Sequence, residues 1–255
     1  SNSFKGKLSK EEFLEHVFYL DDDPDSMPYR TSYYSDFWGF CIKKSLLESE
    51  SFIPPFYVDI DTSFNKKPMV YGELLINGKQ KKEIILTSYI CHPNLANDNL
   101  SGIVTATLLY QNILKSENNF SYRLLFIPET IGSIAYIAKN DLSHVIGGSV
   151  ITCTAGPSKI SLKEAFDNNH WINKSAIMAI EKKSNNNYIK YPFHPTGSDE
   201  RQFSSPGLRI PMISFHKSKY CEYDEYHTSK DNLSFISIKS LLETLNLYKY
   251  WISLV

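Results

Sequence analysis

The sequence predicts an α/β protein: a three-layer sandwich of helices around a mostly parallel mixed sheet, preceded by a small mainly-β accessory region. Three observations carry this. From about residue 80 onward, strand-sized apolar runs alternate with amphipathic helical stretches, as in a sheet covered on both faces. Polar clusters follow those runs directly, where ligands sit in such sheets. Before residue 80 the chain is rich in aromatics, Pro and Ser and shows no clean period. The boundary therefore divides an accessory region, 1–79, from a main domain, 80–255.

The elements follow in order. Ser9 is placed as an N-cap with Glu12 three residues on, a capping box. Phe13, Leu14, Val17 and Phe18 recur at helical spacing, and the acidic run before Pro24 ends that helix. Residues 24–55 read as loops and short elements. Strands are predicted over 56–61 and 70–76, and Asn77-Gly78 marks a hairpin turn leading to an apolar strand over 83–90. Helices over about 100–115, 131–139 and 171–182 alternate with strands over 122–127, 149–154 and 211–215. A last helix covers 235–253, with Ile238, Leu241, Leu242, Leu245, Tyr248 and Ile252 on one face.

Composition narrows the function. The 255 residues carry 27 basic and 28 acidic side chains, a net charge of −1 that argues against a nucleic-acid partner. No run approaches the ~20 apolar residues of a membrane span. The chain starts Ser-Asn-Ser without Met and shows no secretory signal, which reads as a trimmed start with the true N-terminus upstream. Cys41, Cys91, Cys153 and Cys221 form no CxxC pair, so reduced thiols and a cytoplasmic location are expected. Aromatics reach 14%, concentrated at 29–40 and 215–226, and both stretches are expected to border a cleft.

Four clusters carry chemistry. In the first, 91–102, His92 and Asp98 share one loop at a strand end and suit a divalent metal such as zinc; a capped Asx-rich loop is the alternative. In the second, Glu129 ends an apolar strand before a helix. Partial desolvation there raises a carboxylate toward the range of a general base, whereas the helix N-terminus alone would also favour an acidic residue. The third, 226–232, holds His227, with Asp231 able to orient it by accepting its distal N–H. The fourth, 196–203, holds Asp199, Glu200 and Arg201, which line a cleft or form a solvated loop.

Together these stretches resemble the M28-type zinc aminopeptidases and, more closely, bacterial aminopeptidase-like proteins of the DUF4910 family with a DUF2172 insertion. The resemblance rests on Pro28-Tyr29-Arg30-Thr31-Ser32-Tyr33-Tyr34, Trp38-Gly39-Phe40-Cys41, Tyr89-Ile90-Cys91-His92-Pro93, Asn97-Asp98-Asn99-Leu100-Ser101-Gly102, Pro128-Glu129-Thr130-Ile131-Gly132-Ser133, Gly197-Ser198-Asp199-Glu200 and Tyr226-His227-Thr228-Ser229. It spans roughly residues 10–253 and implies a zinc-exopeptidase-like fold.

It also implies His92, Asp98 and His227 as metal ligands and Glu129 as general base of a zinc-dependent hydrolase of small peptides or amides. The chain departs from the M28 pattern in three places. The usual His-x-Asp reads His92-Pro93-Asn94, the Glu-Glu pair reads Glu129-Thr130, and the later Asp ligand is missing from Ala155-Gly156-Pro157. One zinc is therefore expected rather than two. An alternative register, as in glutaminyl cyclases, makes Glu129 a ligand with Asp98 and His227. Asp199, Glu200 and Arg201 are expected near the substrate, and Asp231 behind His227. A catalytically silent binding or regulatory module is the alternative function. Family members also carry further segments, including a C-terminal winged helix, so a chain ending at Val255 is expected to be a short member or a fragment. Their frequent place near surface-polysaccharide genes hints at non-peptide amides as substrates.

Overall fold

The computed structural model describes residues 3–31, 36–194 and 197–255. Residues Ser32, Tyr33 and Tyr34 of the first family stretch, and Thr196 of the fourth cluster, lie outside them. The chain forms two compact units, Ser1–Pro68 with His227–Lys230, and Met69–Tyr226 with Asp231–Val255.

In the first unit β1 (Phe4–Leu8) pairs antiparallel with β4 (Phe56–Ile60), and β2 (Val17–Phe18) pairs parallel with β3 (Phe40–Cys41). The capping box forms: Ser9 Oγ accepts from Glu12 N at 3.2 Å and Glu12 Oε2 from Ser9 N at 2.8 Å. The helix it starts, α1, covers only Lys10–Leu14. Val17 and Phe18, predicted as its continuation, leave to form β2, where Phe40 N donates to His16 O and Ile42 N to Phe18 O. Long-range pairing overrides helical spacing there. A short α2 (Lys44–Leu47) follows β3.

Leu8, Phe13 and Val58 form this unit's core with Trp38, Phe40, Phe52 and Phe56 around them. The His16 ring stacks on Trp38 at 3.6 Å. Trp38 and Phe40, expected at a cleft, pack partly buried against this core and, with Phe18 and Arg30, also line a cavity of about 320 Å³ within the unit. The same unit takes in His227–Lys230. Tyr29 N donates to His227 O at 2.7 Å, Ser229 N to Met27 O at 2.9 Å, and Lys230 pairs with Asp23 at 2.6 Å.

The second unit is built on a seven-stranded sheet. Its strands are β5 (Gly72–Ile76), β6 (Glu83–Tyr89), β7 (Ser121–Ile127), β8 (Val145–Val150), β9 (Ile160–Lys163), β10 (Ile189–Tyr191) and β11 (Met212–Lys217). They lie in the order β10-β9-β11-β8-β6-β7-β5. β7, β6, β8 and β11 run parallel to one another, as do β9 and β10, while β5 on β7 and β9 on β11 are antiparallel. Every residue of β6 is buried, as a central strand covered on both faces requires. One core joins this sheet to α3 (Gly102–Leu114), α5 (Trp171–Ser184) and α7 (Ile238–Leu254). A second core joins the opposite face to α4 (Ile131–Lys139) and α6 (Glu200–Phe203). The expected helix–sheet–helix sandwich with a mostly parallel sheet is the observed fold.

Three expectations need correction, and two strands were not foreseen. Asn77-Gly78 does not close a hairpin, because β7 lies between β5 and β6. Gly78 instead packs against the chain entering β7, where a Cβ would meet Phe120 O at 2.2 Å, and its N–H donates to Ser121 Oγ. The strand expected at 149–154 covers Val145–Val150, through the non-apolar Gly147 and Gly148. β9 and β10 escaped the sequence reading because they are short and have little apolar alternation. On α7 the buried face is Thr244, Leu245, Leu247, Tyr248 and Trp251, whereas Ile238 is 79% exposed.

Candidate active site

The carboxyl ends of β6, β7 and β8 bring the predicted residues of the second unit together. After Tyr89 the chain reaches Cys91 and His92, the latter 7% exposed. It then winds through an irregular turn, Ala96–Ser101, before α3. Asp98, in that turn, is 1% exposed. Three buried side chains hold the turn. Asn97 Oδ1 accepts from Ala155 N and Gly156 N, both at 3.0 Å, and its Nδ2 donates to Ser218 O. Asn99 Nδ2 donates to Ser88 Oγ and Tyr89 O, both at 2.9 Å. Asp231 accepts from Asn97 N at 2.6 Å, Asp98 N at 3.0 Å and Tyr223 OH at 3.0 Å. Asp231, expected behind His227, therefore braces the Asp98 turn. Its carboxylate is satisfied by backbone N–H groups of that turn, and burial raises its pKa.

Tyr89 OH donates to Asp98 Oδ1 and lies 2.7 Å from Thr152 Oγ1. Burial pushes its phenol well above the usual range, so it stays a neutral donor.

Glu129 follows β7, one residue before Thr130, whose left-handed φ of 63° turns the chain into α4. Burial above all, with the nearby Asp199, Asp98 and Glu200 carboxylates, pushes the Glu129 carboxyl up to about 8. Thr130 stands where the family pattern has a second Glu. Its N–H donates to Asp199 Oδ1 at 2.7 Å, an oxygen that also accepts from Ser133 Oγ at 2.8 Å.

Asp199 and Glu200 are 0% and 1% exposed. Burial lifts Asp199 to about 7. Glu200 pairs with Lys163 and accepts from Tyr220 OH at 2.6 Å and Ser198 N at 3.3 Å. Both carboxylates receive protein donors and shape the surroundings of Glu129; Arg201 alone of the three is exposed. Gly197 has a φ of +139°, and a Cβ there would meet Glu200 Oε1 and Lys163 Nζ at 2.5 Å. Only glycine fits that bend.

His227 belongs to the first unit and has a left-handed φ of 55°. The other candidates, His92, Asp98, Glu129, Asp199, Glu200 and Asp231, share the second. Tyr89, Asn97, Cys91, Lys163 and Tyr220 were missed. Cys91 was legible as the neighbour of His92 at a strand end, whereas Lys163 lies on a strand the pattern did not reveal and Tyr220 has no local signal.

The arrangement suits a cation. Asp98, Glu129, Asp199, Glu200 and Asp231 crowd one region, with Lys163 the partner of one of them. A local cluster of carboxylates this dense, with the His92 imidazole in the same loop as Asp98, offers the nitrogen and oxygen donors that zinc accepts.

The fold is that of the M28-type zinc aminopeptidases. A zinc aminopeptidase from Bacillus subtilis superposes with a TM-score of 0.61 at 16% identity, over 71% of this chain and 48% of that one. The chain belongs to the DUF4910 family, a domain of unknown function matching residues 39–255; a second domain of unknown function, DUF2172, matches residues 1–63. A Clostridium acetobutylicum protein is 35% identical over 243 residues, 94% of this chain and 55% of its own length. Its name gives it an aminopeptidase-like domain and, provisionally, a role in polysaccharide biosynthesis. A solved structure from the same organism, provisionally described as a peptidase, matches with a TM-score of 0.94 at 33% identity, over 99% of this chain and 60% of that one. The chain thus spans little more than half the length of these relatives. Among the described residues, no helix is long and apolar enough to cross a membrane.

Proposed function

We propose that this protein is a zinc-dependent, aminopeptidase-like hydrolase that cleaves a peptide or amide bond with one metal ion and Glu129 as general base. The observation that carries the reading is a buried carboxylate raised to about 8, beside His92 and the braced Asp98 at the carboxyl ends of adjacent parallel strands. His92 and Asp98 would hold the ion together with His227, which lies four residues along the chain from the brace Asp231. Thr130 in place of a second Glu, and Ala155-Gly156-Pro157 in place of an acidic loop, favour one ion over two.

Zinc in such a site lowers the pKa of a bound water toward ~7 and polarises a carbonyl. Glu129 takes the proton from the attacking water and delivers it to the leaving amine. Tyr89, by donating to Asp98 Oδ1, fixes the orientation of that carboxylate. Substrates are small peptides or non-peptide amides.

The test is metal content together with hydrolysis of aminoacyl-anilides. The expected result is about one zinc per chain, and in Glu129→Gln a loss of turnover of roughly 10²–10⁴-fold with zinc retained. Loss of the metal in that variant would make Glu129 a ligand. A metal-free chain, or unchanged turnover in Glu129→Gln, favours the silent binding module instead.

A further inference from the structure

His92 has a neighbour that hydrolysis does not use. Cys91 Sγ lies 3.3 Å from His92 Nδ1 and accepts from Glu129 N at 3.4 Å. Ligand atoms of Cys91, His92 and Glu129 all lie within 4.8 Å of one another. In a tetrahedral zinc site, with Zn–S about 2.3 Å and Zn–N about 2.0 Å, sulfur and nitrogen stand about 3.5 Å apart. The observed pair already stands near that separation.

The spacing does not depend on a loose loop. Cys91 and His92 leave β6, and Glu129 leaves the adjacent β7. The two strands stay in register up to Tyr89↔Ile127, and Ile90 N donates to Ile127 O at 3.0 Å. The Cys91 thiol is half-buried. A thiolate, an imidazole and a carboxylate together select soft or borderline cations over Mg²⁺ and Ca²⁺.

We propose that Cys91 Sγ, His92 Nδ1 and the Glu129 carboxylate form a thiolate metal site for a borderline or soft divalent cation, Zn²⁺ in excess or Cd²⁺. The sulfur–metal bond forms as the thiol proton leaves to solvent, and no electron changes hands. The site shares His92 and Glu129 with the hydrolytic arrangement. An ion held there occupies the base, so the site is inhibitory. That consequence rests on the hydrolase reading, whereas the binding itself does not.

The test titrates the full chain, stripped of metal, with Cd²⁺ and follows the ultraviolet thiolate-to-cadmium charge-transfer absorption. To isolate the site, Cys41→Ser and Cys221→Ser are combined as the background. The expected result is one saturable charge-transfer band per chain in that background. It should vanish in both Cys91→Ser and Cys91→Ala with the circular dichroism unchanged, and need at least tenfold more Cd²⁺ in Glu129→Gln. His227→Ala should leave it intact. A band that survives removal of Cys91, or one that disappears in His227→Ala, overturns the proposal. In the active protein, Cys91→Ser should raise the inhibitory Zn²⁺ concentration at least tenfold. A chain with the cadmium band but no hydrolysis sinks the hydrolase reading and leaves the metal site standing. Hydrolysis without the band does the reverse.

Discussion

Asp199 and Glu129 sit in the folded chain as carboxyls raised to about 7 and about 8, mainly by burial. Both have unfolded values near 4, so in the metal-free protein the folded state holds more protons than the unfolded state between about pH 4 and their folded values. Stability therefore falls as pH rises through that window and levels off above about 8. Chemical denaturation of the metal-free chain from pH 4.5 to 8.5 should show this decline, and Asp199→Asn should flatten the part up to about pH 7. A slope that rises with pH, or one unaltered in Asp199→Asn, contradicts this account of the site. At this scale the sequence singled out His92, Asp98 and Glu129 as candidates because they stand in polar segments that directly follow apolar runs. It paired Asp231 with His227 from their spacing, and could not foresee that its carboxylate also accepts from the backbone N–H groups of Asn97 and Asp98, more than 130 residues away. Lys163 could not be foreseen as the partner of Glu200, because that pairing joins two distant segments.

Elements were legible where local pattern and tertiary demand agree. α4 was predicted at its observed bounds, and β6 and β7 within a residue or so, because an apolar run beside a polar loop has one reading in a covered sheet. Where the two disagree, tertiary pairing wins, as when Val17 and Phe18 leave α1 for β2. Helix α7 illustrates a subtler failure. Two apolar stripes compete along it, and the sheet selects the one through Leu247 and Trp251, where Trp251 Nε1 donates to Ser175 Oγ at 3.0 Å. Trp251→Ala should cost about 3–5 kcal/mol of unfolding free energy, and Ile238→Ala within about 0.5 kcal/mol of nothing, by urea denaturation. Equal costs would return the buried face to the stripe the sequence suggested.

On the scale of the whole molecule, the buried carboxylates gathered around Glu129, rather than any net charge of their unit, are what a bound cation would relieve. A metal that binds the folded chain alone, at 100 times its dissociation constant, stabilises it by about 2.7 kcal/mol. Thermal unfolding should shift upward with Zn²⁺, return on chelation, and lose most of the shift in His92→Ala. No shift in the intact chain would leave the carboxylate cluster without its proposed counter-ion.

Length, charge balance and the alternation of strand and helix runs determined the α/β sandwich, because hydrophobic periodicity is written locally along the chain. The same holds for the strand-end positions of His92, Asp98 and Glu129. Only the tertiary structure decided the order of the strands, the buried face of α7, the burial of Asp199 and Glu200 and the bracing of Asp98 by Asp231. Those depend on pairings between residues far apart in sequence, whose free energy comes from desolvation and hydrogen bonds that exist only once the sheet has formed.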